Sequence, residues 1–237
     1  MRKIFVYIIF CLNILLPVNN GEPYIEYKVN KSYSPIKISG NQIIIDGILN
    51  ESVWDSLYVI KGLEQAEPIL NGEPSENTDI KICYDDEFLY VGVFLYNDIN
   101  KISYKKGSDD DFIGVFDSKS DYFIIELDTY HDHQTSYAFA VNSSGVIADY
   151  MIYDDGYIDD NWGAQWESSV KIAENGWGIE YSIPFKNLRL NAGNNLTWGI
   201  NIIRYIKNFN EYISWVVIPT EKIGVVSKYG HLINLNI

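Results

Sequence analysis

Cysteine is almost absent from this 237-residue sequence, which contains only Cys11 and Cys83. So few thiols exclude a small scaffold held by several disulfides, and they require a hydrophobic core to supply the stability. The composition can provide that core, since 47% of the residues are hydrophobic and 15% are aromatic. We predict one domain, over residues 35–237, with no long linker.

Positive charge is also scarce. Lysine and arginine together number 18 against 32 aspartate and glutamate residues, so the formal net charge is -14. Such a chain repels a polyanion and has no basic stripe to offset the repulsion. Nucleic acid and anionic membrane surfaces are therefore disfavoured as partners, whereas neutral ligands, cationic ligands and divalent cations are compatible with the charge.

Only one long hydrophobic run is present. Residues 4–16 are apolar except for Asn13, follow Arg2 and Lys3, and precede a polar segment. This is the layout of a secretory signal peptide, and the run is too short for a comfortable membrane span. We therefore predict a signal peptide over residues 1–20 and an exported domain in the periplasm, at the cell surface or outside the cell.

Helical periodicity is nearly missing, and most apolar residues recur at every second position, which is the pattern of β-strands. Turn residues, such as those at 142–145 and 174–176, separate these stretches at short intervals, as in an all-β antiparallel sandwich. One short helix is predicted at residues 51–57, with Asn50 as its N-cap. The strands are predicted at residues 78–84, 88–96, 122–127, 136–141, 146–151, 165–172, 177–183, 198–206, 211–218 and 232–235.

Alternation also assigns residues to faces of the strands. Trp198 shares a face with Ile202, and a tight turn after that strand places Trp215 opposite Ile202. In the same register Arg204 lies diagonal to Glu211, which predicts a partly buried ion pair. The residues predicted to be buried are Ile45, Trp54, Ile82, Val91, Val93, Ile125, Phe139, Trp177, Ile179, Trp198, Ile200 and Trp215.

Two of the three histidines stand around a carboxylate in the segment TYHDHQT. His131, Asp132 and His133 are ligand types that zinc or iron accepts. A metal site on one loop needs ligands from elsewhere, and His231 is the only other histidine. We therefore interpret residues 129–135 as the connecting loop of a hairpin.

Recognisable catalytic arrangements are missing as well. The sequence has no G-x-S-x-G elbow, and Cys83 is the only cysteine outside the predicted signal peptide. The acidic residues 109–111 and 154–155 form runs rather than the separated pair that glycoside hydrolysis requires. Met151 is the only methionine outside residues 1–20, which disfavours a haem site with histidine and methionine ligands. We predict that the chain is not an enzyme.

Five stretches, in this order, resemble the carbohydrate-binding module family 9. They are IIIDGILNESVW (43–54), TDIKICYDDEFLYVGVFLYND (78–98), YFIIELDTYHDHQTSYAFAVNSSG (122–145), GWGIEYSIPF (176–185) and VSKYGHLINL (226–235). The resemblance implies a DOMON-like β-sandwich, in the version found at the N-terminus of large bacterial envelope proteins with a C-terminal predicted β-barrel. A location in the bacterial envelope, and a β-barrel domain or membrane-associated partner, are implied with it.

The resemblance also implies a ligand. Members of the family hold the end of a sugar chain between two tryptophans and bind structural calcium. The corresponding segments here read FDSKS (116–120) and EKIGVV (221–226), and neither contains tryptophan. Two hypotheses follow. One is a non-catalytic carbohydrate-binding module that supports carbohydrate breakdown or uptake, and the other is a structural or interaction domain that has lost sugar binding.

A substitute sugar platform is present in NWGAQWE, residues 161–167. Trp162 offers a flat apolar face and Asn161 a polar neighbour, a combination that grips a pyranose ring. Alternatively, both tryptophans of this segment cap the end of the sandwich. The residues predicted to bind carbohydrate are Trp162, Trp166, Asn161, Tyr130 and Arg204.

The preceding acidic loop, YDDGYIDDN, is a candidate calcium site. Asp154, Asp155, Asp159 and Asp160 place four carboxylates in one short segment, and a Ca²⁺ ion takes about six to eight oxygen ligands. A cation would relieve the repulsion among the carboxylates, although their spacing is not that of an EF-hand. A solvated acidic turn is the alternative. Ca²⁺ is therefore the one cofactor predicted from the sequence.

Overall fold

A computed structural model describes residues 31–40, 42–104, 119–219 and 224–237. The predicted signal peptide, the acidic run 109–111 and most of the two segments that correspond to the family's tryptophans lie outside these residues. No helix in the described part of the chain is long and apolar enough to cross a membrane.

The alternating stretches form strands, and the single α-helix of the described residues buries its apolar residues Val53 and Trp54. The elements are β1 (Ser32–Tyr33), β2 (Ile36–Lys37), α1 (Ser52–Ser56), β3 (Glu64–Glu67), β4 (Thr78–Tyr84), β5 (Phe88–Tyr96), β6 (Tyr122–Asp128), β7 (Ser136–Asn142), β8 (Ile147–Tyr153), β9 (Tyr157–Asp159), β10 (Glu167–Ala173), β11 (Gly176–Pro184), β12 (Leu196–Ile206), β13 (Glu211–Ser214) and β14 (Gly230–Leu235). Single turns of 3-10 helix cover Ile99–Lys101, Phe185–Asn187, Lys207–Phe209 and Val226–Lys228.

The strands form two sheets packed face to face, which confirms the predicted all-β sandwich. In the large sheet the order is β1-β14-β12-β6-β7-β8-β9, with β13 beside β12 and β3 beside β13. In the small sheet the order is β10-β11-β5-β4-β2. β5 lies in the middle of the small sheet, as its apolar residues on both faces predict. The pairings are antiparallel except β1 with β14 and β2 with β4, which are short parallel pairs.

The main core lies between the inner faces of the two sheets. Every second residue of β5, β6, β11 and β12 points into it, because successive side chains of a strand face opposite sides. The residues predicted to be buried are buried, except Ile45. Ile45 is only partly buried because it packs at the margin of a second cluster, on the outer face of the small sheet.

The segment that contains α1 covers the outer face of the small sheet. Trp54 is fully buried there and donates from Nε1 to Glu180 Oε1 over 2.9 Å. Gly92 makes room for the indole, since a Cβ atom at this position would lie 2.9 Å from Trp54 Cζ3. Glu180 Oε2 also accepts from the backbone N–H groups of Asp46 (3.0 Å) and Gly47 (2.9 Å). These three donors to one buried carboxylate fix the segment to the sheet.

The helix begins one residue later than predicted. Its N-cap is Glu51 rather than Asn50, and no side chain caps it. Asn50 belongs to the preceding turn, where its N–H donates to Ile48 O over 2.8 Å. Asn50, which the sequence pattern predicted as the N-cap of the helix, is therefore part of a turn.

Residues 224–229, which we call the strap, cover part of the outer face of the large sheet. Val226 and Tyr229 pack there against alanines of β7 and β8, whose small side chains leave the necessary depth. Tyr229 Oη donates to Glu126 Oε2 over 2.7 Å, and Tyr150 Oη donates to Glu126 Oε1 over 2.9 Å. Burial raises the pKa of Glu126, while the two hydroxyl donors lower it.

Arg204 of β12 ties the two sheets together. The residue is 1% exposed, although arginine is rarely buried in proteins. Its guanidinium donates to the carbonyl oxygens of Asn77 (2.7 Å) and Tyr96 (2.6 Å) and to Thr78 Oγ1 (2.9 Å). These acceptors lie at the start of β4 and the end of β5, so one side chain of the large sheet holds two strands of the small sheet.

The predicted ion pair between Arg204 and Glu211 is wrong. The two residues share a face, but the guanidinium is directed to the small sheet, and Glu211 Oε1 accepts from the N–H of Ser75 over 2.9 Å. Burial lowers the pKa of Arg204 to about 10, while the charges of Asp121, Glu76 and Glu211 raise it. A guanidinium with that pKa still carries its proton at neutral pH.

The strand predicted at residues 211–218 is also shorter than expected, since β13 ends at Ser214. Beyond it, the N–H of Val216 donates to the side-chain oxygen of Asn201 over 2.9 Å rather than to a backbone carbonyl. A polar side chain therefore takes the place of the backbone acceptor that a continuing strand would supply.

Candidate functional site

Two tryptophans lie in the segment that runs from β9 of the large sheet to β10 of the small sheet. Trp166 is 6% exposed and donates from Nε1 to Asp149 Oδ2 over 2.8 Å. Its ring stacks on that of Tyr181, with the centroids 5.7 Å apart and the planes 5° apart. The Trp166 indole closes the side of the core, so it is too buried for the predicted contact with a sugar.

Trp162 is neither fully buried nor fully exposed. Its ring packs against Tyr137, with 4.9 Å between the centroids, and against Phe139, with 6.1 Å. The residue is only partly buried at the margin of the main core. Trp162 therefore caps the sandwich, as the alternative interpretation held, and keeps part of its surface exposed.

Two exposed tyrosines lie on the same side of the large sheet as Trp162. Tyr153 and Tyr157 form a cross-strand pair in the β8–β9 hairpin, with ring centroids 5.7 Å apart, and they are 40% and 44% exposed. Cross-strand partners share a face, and every second residue returns to it. Met151 pairs with Tyr137, so both tyrosines lie on the side of the sheet where Trp162 packs. We call Tyr153, Tyr157 and Trp162 the aromatic ledge.

Carboxylate and amide groups adjoin the ledge. The N–H of Asn161 donates to Asp159 Oδ1 over 3.0 Å, and its Nδ2 donates to Asp159 Oδ1 over 3.2 Å and to Asp160 Oδ1 over 3.3 Å. Asp160 and Asn161 are exposed, and Trp162 is the next residue in the chain. Their remaining lone pairs are acceptors suited to the hydroxyl groups of a sugar.

Tyr130 lies on the β6–β7 loop, which contacts the turn of the β8–β9 hairpin. It is 39% exposed, and the guanidinium of Arg189 lies 4.6 Å from its ring centroid in a cation–π contact. The N–H of Asp155 donates to Gln134 O over 2.9 Å, which joins this loop to the turn between the two ledge tyrosines. Arg204, by contrast, belongs to the interior and has no place on this surface.

The predicted calcium ligands Asp154, Asp155, Asp159 and Asp160 do not surround a common point. Among the described residues, no group of three or more histidine, cysteine, aspartate or glutamate side chains is arranged to hold a metal ion. The Asp155 carboxylate instead binds the strap, accepting from the N–H groups of Val225 (2.9 Å) and Ser227 (2.8 Å) and from Ser227 Oγ (2.7 Å). Calcium binding stays a prediction.

Replacing Asp155 by asparagine is expected to loosen the strap. The amide oxygen can still accept from the two N–H groups, but the negative charge is lost and Ser227 Oγ must turn from donor to acceptor, so the hydrogen bonds weaken at a cost of about 1–3 kcal/mol. Thermal melting measures the loss. Asp154→Asn is the matched control, because Asp154 is exposed on the same turn, and its expected change is below about 0.5 kcal/mol.

The same melts, repeated in calcium and in chelator, test the calcium prediction. Equal losses for Asp155→Asn in both buffers are expected if this carboxylate serves the strap alone. A calcium-dependent rise in the melting temperature of the unaltered chain that disappears in Asp155→Asn would contradict that role and make Asp155 a calcium ligand.

The β6–β7 loop covers residues 129–135, as predicted from the sequence. The structure also brings His231 of β14 to this loop, which the sequence pattern did not indicate. The ring centroid of His131 lies 4.4 Å from that of His133 and 5.4 Å from that of His231. All three histidines of the chain therefore form one cluster.

A cleft of about 330 Å³ opens where β4 begins and β5 ends. Its lining includes Lys61, Glu73, Glu76, Asp79 and Tyr96. Most of these residues lie outside the alternating stretches, so the sequence pattern gave no signal for the cleft. It is next to the acceptors of Arg204, whereas the β6–β7 loop lies beside the opposite end of β12.

Comparison with solved structures identifies the type of β-sandwich to which the fold is similar. The chain is similar to a carbohydrate-binding module family 9 protein from Caldicellulosiruptor kristjanssonii in complex with cellotriose, with a TM-score of 0.61 and 16% identity over 87% of this chain and 94% of that one. The complex of such a module with glucose gives a TM-score of 0.62 and 15% identity, over 87% and 97% of the two chains.

A third structure, of a proposed carbohydrate-binding protein from Bacteroides uniformis, gives a TM-score of 0.63 and 12% identity, over 86% of this chain and 98% of that one. No family sequence model matches the chain, and neither does any curated protein sequence. The predicted family 9 fold is therefore confirmed at the level of structure.

Proposed function

We propose that this chain is an exported, non-catalytic carbohydrate-binding module that binds a poly- or oligosaccharide at the aromatic ledge. The observation that carries the proposal is the exposed pair Tyr153 and Tyr157 on the same side of the large sheet as Trp162. The ledge belongs to a fold whose similar structures include modules in complex with cellotriose and glucose. The proposed role is attachment to carbohydrate in support of its breakdown or uptake.

The ledge supplies the two kinds of contact that a sugar needs. Exposed aromatic surface packs against the apolar face of a pyranose ring. Asp159, Asp160 and Asn161 offer acceptors for hydroxyl groups at its edge, and Tyr130 adds a further aromatic side chain on the adjoining loop. Hydrogen bonds among the three acceptor residues reduce the motion that ligand binding would otherwise have to freeze.

The charge of the chain narrows the class of sugar. With a formal net charge of -14 and carboxylates beside the ledge, anionic glycans such as polyuronates meet repulsion. We therefore propose a neutral glycan as the ligand.

The two buried glutamates have structural rather than catalytic roles. Glycoside hydrolysis needs two carboxylates facing each other across an open site. Glu126 lies under the strap on the outer face of the large sheet, and Glu180 lies under α1 on the outer face of the small sheet. Each accepts hydrogen bonds that hold a covering segment, so neither carboxylate serves an open cleft.

The experiment is a binding survey of the domain over a glycan array and a panel of soluble neutral and acidic polysaccharides. We expect retention on at least one neutral glycan and none on polyuronates. Retention only on acidic glycans would contradict the charge argument. If no glycan is bound, the chain is instead the structural or interaction domain that the missing family tryptophans suggest.

A further inference from the structure

The three histidines are brought together by the register of the large sheet. Asp128 at the end of β6 pairs with Gly199 of β12, and Gly199 pairs with His231 of β14. Gly199 has no side chain to separate its neighbours, and a Cβ atom there would lie 3.0 Å from Asp128 Cβ. His231 therefore reaches the loop that follows Asp128.

That loop presents its histidines in a fixed conformation. The Asp128 carboxylate accepts from the N–H groups of Asp132 (3.2 Å) and His133 (2.9 Å). Asp132 Oδ1 in turn accepts from the N–H groups of the two residues before β7. His131 and His133 both adopt a left-handed backbone conformation, with φ of 56° and 59°. The imidazole of His131 thus lies against those of both His133 and His231.

The site of His131 accommodates a neutral imidazole better than a charged one. His131 Nε2 is buried and has no hydrogen-bond partner. A neutral ring tolerates this, because one of its nitrogens carries no proton, whereas an imidazolium would bury an unsatisfied N–H and a charge. Among the described residues, no ion pair joins any of the three histidines to a carboxylate.

The charged groups around the cluster do not offset the preference for a neutral imidazole. Asp128 and Asp132 are the facing carboxylates, and their oxygens already accept backbone hydrogen bonds. The guanidinium of Arg189 lies over Tyr130 of the same loop. Lys31, immediately before β1, accepts from the N–H of His231 through its carbonyl but directs its ammonium group to Glu64, 2.6 Å away.

We propose that His131, His133 and His231 form a proton-operated latch, which holds the β6–β7 loop against β14 at neutral pH and releases it in mild acid. Protonation charges rings that are 4.4 Å and 5.4 Å apart, and the repulsion separates the loop from β14. Release also withdraws Gln134 O from the N–H of Asp155, which holds the turn of the β8–β9 hairpin. The latch does not depend on any bound sugar.

The pKa directions agree with the geometry. Burial lowers the pKa of His131, and the charges of His133 and His231 lower it further. Burial also lowers the pKa of His231, as does the charge of His133, while Asp128 raises it. Because the folded pKa values of His131 and His231 lie below the unfolded value of about 6.5, their contribution to the closed loop is fully present above that pH. This contribution is lost as the pH falls toward the folded pKa values.

The test is amide hydrogen exchange from pH 7 to pH 5, corrected for intrinsic exchange rates, with chelator present to exclude adventitious metal. The N–H groups of Asp132, His133 and Asp155 report loop opening. We expect the opening constant to rise by up to about tenfold per pH unit for each proton taken up. Several buried carboxylates also titrate in acid, so the comparison with histidine variants decides the outcome.

His131→Asn removes the central ring and suits a left-handed backbone, and His231→Gln removes the ring on β14. Each is expected to flatten the pH dependence of opening at these amides. NMR titration of the unaltered protein is expected to show His131 titrating below about 6.5, and to show its pKa rising in His133→Asn. If His131→Asn does not fold, the other two variants still decide. Unchanged pH dependence in them, or a His131 pKa at or above the ordinary value, would overturn the latch.

Discussion

Replacing Trp54 by alanine is expected to lower the free energy of unfolding by about 3–5 kcal/mol, one of the largest effects available in this domain. The indole is fully buried between α1 and the small sheet, in a depression that exists because residue 92 is glycine. Its removal leaves a cavity and takes one of the three donors from the buried Glu180 carboxylate. Equilibrium unfolding in urea measures the change.

The matched variant Trp54→Phe separates packing from hydrogen bonding. Phenylalanine keeps an aromatic ring against Gly92 but has no N–H for Glu180 Oε1, so we expect a loss of about 1–3 kcal/mol. A Trp54→Ala variant that lost less than about 1 kcal/mol would show that α1 contributes little to the fold.

Replacing Arg204 by methionine is expected to cost about 2–4 kcal/mol, because it leaves the buried acceptors on β4 and β5 without their donor. Methionine approximates the volume of the aliphatic stem, so the loss reports the polar contacts between the sheets rather than a cavity. Urea unfolding again measures it.

Arg204→Lys keeps the charge and tests whether the two donor nitrogens of the guanidinium are needed. One ammonium group cannot reach acceptors that two guanidinium nitrogens now share, so we expect a loss close to that of methionine. Full stability in Arg204→Lys would contradict the importance of the guanidinium hydrogen bonds. It would show that only the positive charge matters.

The sequence predicted the core well because alternation is set locally. Trp198, Ile200 and Ile202 recur at every second position, and that spacing alone assigns them to one face of β12. Arg204 continues the same series, although we predicted it to pair with Glu211 and to bind carbohydrate rather than to lie in the interior. What the pattern did not contain was the partner, since the carbonyl oxygens of Asn77 and Tyr96 come from the other sheet.

The strands β1, β2 and β3 were not predicted from the sequence, for a different reason. β3 reads EQAE and has no apolar alternation, but it pairs with β13 through backbone groups that every residue carries. β1 and β2 have two residues each, which is too short to show a period. Their parallel pairings join segments far apart in the chain, and local patterns do not determine such contacts.

The candidate site was predicted only in part for the same reason. Trp162 was identified from its own segment, but Tyr153 and Tyr157 became part of the surface only through the β8–β9 register. Trp166, in contrast, is adjacent in sequence and lies in the core, because its indole N–H meets Asp149 from another strand. Local composition indicated the segment, and tertiary pairing decided which rings remain exposed.

The most direct test of the account is the affinity of the double variant Tyr153→Ala/Tyr157→Ala for the neutral glycan that the unaltered domain retains, measured by calorimetry. Each exposed aromatic contact contributes about 0.5–1.5 kcal/mol, so we predict a weakening of about tenfold to a hundredfold. Tyr58→Ala is the control, because Tyr58 is 81% exposed and follows α1 on the small-sheet side. Its affinity should equal that of the unaltered domain, with similar melting temperatures for all three proteins. Unchanged glycan affinity in the double variant would contradict the aromatic ledge as the binding site.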